Sequence, residues 1–113
     1  MKTSNTSYEP EVEILASNDY QAIPIKVSET NTVVKAGTPL TKEGLKALDG
    51  TGAVGILRHN VDTSVNPNGA LVVDGIIDYK KIKEYAGVTA SAAVLHAAIP
   101  AIYFREDVKA QEG

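Results

Sequence analysis

The segment Val33-Val-Lys-Ala-Gly-Thr-Pro-Leu-Thr41 contains a short apolar run followed by a Gly-Thr-Pro turn. A glycine interrupts each of two later apolar runs, Ala53-Val-Gly-Ile-Leu57 and Leu71-Val-Val-Asp-Gly-Ile-Ile-Asp78. Short apolar runs bounded by turn residues are typical of buried strands. A glycine inside such a run marks a bulge or a close backbone approach, which we expect at Gly55. The pattern predicts a mainly β fold, a β-clip-like small barrel or sandwich of short strands with two or three short helices.

Two β-hairpins are predicted around these runs. Residues 22–27 and 32–35 have strand character, and the polar turn residues between them favour a hairpin. Residues 61–65 and 70–73 flank Asn66-Pro-Asn-Gly69, in which proline and Asn-Gly suit the central positions of a turn. This second turn is the strongest hairpin signal in the sequence.

Three helical segments are predicted. Residues 42–48 carry two leucines at helical spacing, which favours one or two turns of helix. Residues 79–85 place apolar side chains on one helical face before Gly87, a typical helix stop. Residues 89–99 are rich in alanine, a strong helix former, and precede a proline. A last strand is expected at residues 101–104.

Composition limits the architecture and the partners. A chain of 113 residues with 43% hydrophobic content suffices for one compact core. Eleven basic and fourteen acidic residues give a net charge of −3, and Lys80-Lys81-Ile82-Lys83 is the longest basic run, which disfavours nucleic acid as a partner. The sequence has no cysteine and no apolar stretch of about 20 residues. We therefore expect a soluble protein without disulfides, thiolate metal ligands or contact with a membrane.

The chain divides into an N-terminal arm at residues 1–19, partly disordered or extended, a single domain at 20–106 and a frayed tail at 107–113. Within the arm, Tyr8, Val12 and Ile14 alternate with glutamates, which is the period of an extended strand. Pro10 restricts that strand to the edge of a sheet. Two interpretations follow: an edge strand that packs on its own domain, or an arm that pairs with the sheet edge of a neighbouring protein.

The residues that could carry chemistry do not form a recognisable motif. His59 and His96 lie in different elements and neither has a nucleophile nearby in sequence, so each is interpreted as structural. Asp74 and Asp78 could share a site only if the chain turned both inward, and Asp62 is interpreted as a residue that bonds to nearby backbone. We predict no catalytic residue, no cofactor site and no metal site, and therefore no enzyme.

The chain resembles the lambda-type head decoration proteins of tailed bacteriophages over roughly residues 20–105. The segments that carry the resemblance are short and apolar. They are Ala36-Gly-Thr-Pro-Leu-Thr41, Ala53-Val-Gly-Ile-Leu57 with the following Val61-Asp62, the strand Val72-Val73 to Gly75-Ile-Ile-Asp78, and a terminal helix that leads to Ala101-Ile-Tyr-Phe104.

The resemblance implies a structural viral protein, a homotrimer that binds the outer surface of the expanded bacteriophage head and stabilises it against the pressure of packaged DNA. Its partner would be the major capsid protein, and its location the capsid surface of a virion assembled in the host bacterial cytoplasm. Three arms on one trimer would raise avidity without any single strong contact. We expect arm contacts at Tyr8, Val12 and Ile14, and core or subunit contacts at Leu95, Ile99 and Tyr103.

Two alternatives remain open at this point. The chain could be the base domain of a head-fibre or host-adhesion display protein. It could also be a small trimeric nucleotide-hydrolase-like β protein, since Gly75-Ile-Ile-Asp-Tyr79 is similar to a stretch of the deoxyuridine triphosphatases. That second similarity covers five residues, and the arginine- and serine-bearing phosphate motifs of that family have no counterpart in this chain.

Overall fold

The structure is a computed structural model that describes residues 12–106. Within this range the prediction of a mainly β fold with short helices is confirmed. Tyr8 and the predicted tail at 107–113 lie outside the described residues. The elements in chain order are β1 (Gln21–Lys26), β2 (Val33–Val34), β3 (Pro39–Thr41), β4 (Ala53–Leu57), β5 (Val61–Asp62), β6 (Asn68–Asp78), α1 (Tyr79–Ala86), α2 (Ala92–Ala98) and β7 (Ile102–Arg105).

The long strand β6 organises the main sheet. Its first half pairs with β1 on one edge and with β4 on the other, and β4 continues to β3, all antiparallel. Its second half pairs in parallel with β7. Strands β2 and β5 form a separate two-stranded sheet. In the part of the chain that the structure describes, β1 and β3 are the edge strands of the main sheet and do not pair with each other, so the sheets do not close into a barrel.

Both predicted hairpins are wrong, although strands form in each of the four segments or beside them. Strand β1 pairs with β6 and β2 pairs with β5, so the two strands of the first predicted hairpin do not pair with each other. After β5 the Asp62 carbonyl accepts hydrogen bonds from the N–H groups of Val65 and Asn66, which coil the chain away from a direct return. Turn residues mark where a chain changes direction, whereas the pairing partner depends on contacts distant in sequence.

The predicted helix at 42–48 is also wrong. Gly44 has a φ of +86°, and a side chain at that position would stand 2.0 Å from the Lys26 carbonyl oxygen. The backbone instead folds back on β3, where the Ala47 N–H donates to the Pro39 carbonyl and Leu40 bridges to Lys46. A left-handed residue in the middle of the segment prevents a continuous right-handed helix, and the glycine is required for this reversal.

The two remaining helices confirm the predictions and show why they begin and end where they do. Asp78 caps α1 by accepting from the Lys81 N–H, and Gly87 ends it in the left-handed conformation with a φ of 78°. Ser91 caps α2 by accepting from the Val94 N–H, so that α2 begins later than the predicted residue 89. The buried side chains of these helices, Tyr79 and Ile82 of α1 and Ala92 and Leu95 of α2, lie in the same core cluster as Ile77 of β6.

Two clusters of buried side chains form the core. The larger lies between the sheet and the helices and includes Ile14, Ile77, Ile82, Leu95 and Ile102. The smaller lies under the β1, β3 and β4 end of the sheet and consists of Val27, Val34, Leu40, Leu57, Val61 and Leu71. The close approach predicted at Gly55 is confirmed, because a Cβ atom there would stand 2.5 Å from Leu71 Cγ and 2.6 Å from the Val72 carbonyl oxygen.

Candidate functional site

The described part of the predicted arm lies against its own domain. Ile14 is fully buried in the larger core cluster, and Val12 is partly buried against the same cluster. Leu15 bridges to Ile77 of β6, the Ala16 N–H donates to the Ile76 carbonyl, and the Asp78 N–H donates to the Ile14 carbonyl. The Ile14 side chain is therefore not exposed for the arm contact that we expected of it, because it fills the core of its own chain.

The chain from Ile14 to Lys26 follows one edge of β6. Residues 14–16 bond to the second half of β6, and β1 pairs with the first half. Residues 17–20 lie between these two stretches and form no strand. The opposite edge of β6 is occupied by β4 and β7. The N-terminal segment and β1 thus form one interrupted outer edge of the sheet.

Arg58 holds both ends of the segment that precedes β1. Its Nη2 donates to Glu13 Oε1 at 3.0 Å, and its guanidinium carbon lies 5.6 Å from the centroid of the Tyr20 ring. The Arg58 N–H donates to the Ala70 carbonyl, which fixes the backbone from which the side chain extends. The Arg58 side chain is 14% exposed and that of Glu13 is 56% exposed. We refer to Arg58, Glu13 and Tyr20 as the arginine clasp.

The surroundings of Glu13 favour its ionised form. Burial acts to raise the pKa of the carboxyl, but the Leu15 N–H, the Arg58 guanidinium and the charge of His59 act in the opposite direction and outweigh it. The pKa of Glu13 consequently lies below its ordinary value. The carboxylate also accepts from the Leu15 N–H at 2.9 Å, which links the clasp to the backbone that bonds to β6.

The three residues predicted for core or subunit contact fall into two groups. Leu95 is fully buried and Ile99 is 4% exposed, so both belong to the core. Tyr103 is 65% exposed and stacks on the His96 ring, with centroids 5.0 Å apart. His96 Nδ1 lies 2.8 Å from the Ile102 carbonyl oxygen, and since a carbonyl only accepts, Nδ1 carries the proton. His96 therefore orients Tyr103, consistent with its interpretation as structural.

The aspartates considered in the sequence do not share a site. Asp74 is exposed beside β1, whereas Asp78 is buried and caps α1. Asp62 accepts from the Ser64 N–H and hydroxyl, which confirms that it bonds to nearby backbone. No group of three or more histidine, aspartate or glutamate side chains that could hold a metal ion occurs in residues 12–106.

An exposed apolar surface lies at β1, and no motif in the sequence indicated it. Both faces of this strand are largely exposed, with Ile23 at 49% and Pro24 also exposed. A groove of about 420 Å³ lies beside them, with Val54 and Leu71 in its wall and Lys26, Lys42 and Glu43 at its rim. The alternating pattern of residues 22–27 predicts a strand with Ile23, Ile25 and Val27 on one side. No local signal in the sequence indicated that the Ile23 side chain would lie outside the core.

Pro24 governs how this edge can be used. The Val27 N–H donates to the Pro67 carbonyl at the end of the pairing between β1 and β6. Because N–H groups alternate in direction along a strand, those of Ala22 and Lys26 point away from β6. Pro24 occupies an outward position and has no N–H to offer. A continuous strand cannot be added along the centre of β1. This surface is therefore suited to side-chain contact rather than to sheet extension.

No family model matches the chain, and no curated protein matches it. Neither helix within residues 12–106 has the length and apolar character needed to cross a membrane.

Proposed function

We propose that this protein is a structural viral protein that binds the outer surface of a bacteriophage capsid and stabilises the expanded head, with a mechanical rather than a catalytic role. The observation that carries the proposal is the exposed apolar surface of Ile23, Pro24 and Val54 on β1 and β4. Exposed apolar surface bordered by polar side chains is a feature of protein-binding sites. The occupant that we assign to it is the major capsid protein.

The segments that carry the resemblance support the proposal by their place in the fold. Most of them form β3, β4, the second half of β6 and β7, which are paired neighbours in the main sheet. The segment Val61-Asp62 forms β5 in the separate two-stranded sheet, and the terminal helix is α2. The pairing of most of the matched segments in one sheet supports a shared fold.

The proposal includes a homotrimer, with Tyr103 as a subunit contact. Tyr103 and Val94 are exposed by 65% and 48%, and both belong to the β7 and α2 layer. An exposed tyrosine held by ring stacking loses little conformational entropy when it is buried, which favours its use in an interface. Three copies would present three β1 surfaces to neighbouring capsid subunits, so that modest individual contacts give strong binding.

A capsid-binding experiment tests the proposed function. Purified protein is mixed with expanded, undecorated heads assembled from a bacteriophage major capsid protein, and with unexpanded shells of the same protein. We expect saturable co-sedimentation with expanded heads, weaker binding to unexpanded shells, and added density near the local three-fold positions by electron microscopy. The mass in solution, from light scattering, should be that of a trimer.

Two results would contradict the proposal. The first is equal, unsaturable association with expanded and unexpanded shells. The second is hydrolysis of a nucleoside triphosphate by the pure protein at a rate that follows protein concentration, which would favour the nucleotide-hydrolase alternative.

A further inference from the structure

We propose that residues 12–16 form a strap that opens independently of the folded body, and that the arginine clasp determines whether the strap is closed. The strap bonds to the edge of β6 through the Ala16 N–H and the Ile14 carbonyl, and the single buried side chain of Ile14 anchors it in the core. Two backbone hydrogen bonds, one buried side chain and the partly buried Val12 and Leu15 are few contacts compared with the pairing of β1 along six residues.

The connection to the body has the character of a hinge. Residues 17–20 form no strand, and Asn18 and Asp19 are exposed. Beyond them the pairing of β1 with β6 resumes at Gln21. Loss of the strap's contacts therefore leaves the remainder of the sheet intact, since β6 keeps β1, β4 and β7 as partners.

The clasp closes the strap from two sides. Arg58 contacts Glu13 at one end of the segment and Tyr20 at the other, so one guanidinium spans the hinge. Arg58 Nε is buried and has no hydrogen-bond partner in the described part of the chain. The ion pair with Glu13 and the contact with the Tyr20 ring offset the burial of the guanidinium. The charged groups that act on Glu13 are Arg58 and His59, both from the segment after β4.

Opening releases residues 12–19 from the body. These eight residues span up to about 26 Å when the chain is extended, which is the reach that opening adds. This use of the strap rests on the proposed function, because added reach matters only if the segment meets a partner. The opening itself does not depend on that function.

Hydrogen exchange of single backbone amides, measured by NMR on the full chain, tests the strap. The amides of Ala16 and Asp78 report closure, and those of Leu57 and Ile99 report the body. In Arg58→Gln, which removes the ion pair and the ring contact, we expect the strap amides to exchange about tenfold faster with the body amides unchanged. In Glu13→Gln, which removes only the exposed charge, we expect an increase of about threefold.

Glu84→Gln is the matched control, because it removes the same charge from the exposed side of α1, and it should change no amide. Equal acceleration of strap and body amides in Glu13→Gln would overturn the proposal, since strap and body would then open as one unit. Unchanged exchange of Ala16 and Asp78 in both clasp variants would overturn it as well. Capsid binding takes no part in this measurement, so failure of the strap and failure of the proposed function are separate results.

Discussion

Arg58 donates a hydrogen bond of 3.0 Å to Glu13, which lies 45 positions earlier in the chain. The contact joins the segment after β4 to the residues that precede β1, and no other ion pair in residues 12–106 spans elements so far apart in sequence. The N-terminal segment is therefore held in part by an ion pair that responds to pH and to salt, in addition to the buried side chain of Ile14.

Closure of the strap should weaken as the pH falls. The pKa of Glu13 is lowered in the closed state, so its contribution is fully present above its ordinary pKa and is lost as the pH falls through the lowered value. At pH 7 the Ala16 amide of the native protein should exchange about threefold more slowly than that of Glu13→Gln. Below the lowered pKa of Glu13 the two proteins should exchange alike, since both then carry a neutral side chain. A ratio that did not change with pH would show that ionisation of Glu13 plays no part in closure.

Substitution of Gly55 by alanine should destabilise the whole domain. The added Cβ would meet Leu71 Cγ at 2.5 Å and the Val72 carbonyl oxygen at 2.6 Å, and the backbone atom cannot move without breaking the pairing of β4 and β6. We expect a loss of about 3 kcal/mol in the free energy of unfolding, measured with urea. The control is Gly87→Ala, where nothing lies within 4 Å of the added carbon and the cost of the left-handed backbone is about 1 kcal/mol. An equal loss in both variants would contradict the close approach at Gly55.

Asp74 and Asp78, which lie on either side of Gly75 in β6, should differ in their effect on stability. Asp78 is buried and caps α1, so Asp78→Ala should cost about 1 kcal/mol, while Asp78→Asn should retain most of the cap. Asp74 is exposed, and Asp74→Ala should stay within about 0.5 kcal/mol of the native protein. Thermal unfolding followed by circular dichroism provides the comparison. A larger loss at Asp74 than at Asp78 would disprove this assignment.

The β1 surface should be required for capsid binding but not for folding. Ile23→Glu places a charge in the apolar contact, and desolvation of that charge should weaken binding to expanded heads at least tenfold, or by about 1.4 kcal/mol. Val65→Glu is the matched control, because Val65 is 80% exposed and lies in the turn before β6. Both variants should keep the native melting temperature. Native affinity in a folded Ile23→Glu protein would remove the β1 surface from the proposed site.

The helices were predictable because their signals are local. The cap at Asp78 and the stop at Gly87 act within a few residues of α1, and the apolar spacing of Tyr79 and Ile82 indicates its buried face. Gly55 was predictable for a similar reason, since a glycine inside an apolar strand implies that another atom lies close. The segment at 42–48 shows the limit of such signals: its leucines favour a helix, but the tertiary fold uses Gly44 in a left-handed conformation to pass the Lys26 carbonyl.

The partners of the strands were not predictable in this way. An alternating pattern shows that residues 22–27 are extended, but it contains no information about whether β2 or β6 lies beside them. The candidate surface was not predictable for the same reason. Ile23 is exposed because β1 is an edge strand of the main sheet, and the sequence pattern does not show which strand lies at the edge. Nothing near Glu13 in the sequence indicates Arg58 as its partner.

The sequence by itself therefore determined the mainly β character, the extended segments and the caps of the helices, because these depend on steric and hydrogen-bonding preferences within a few residues. The tertiary structure alone decided which strands pair, which apolar side chains stay exposed, and that Ile14 lies in the core. Those outcomes depend on contacts between residues that are distant in the chain, and only the folded arrangement brings such residues together.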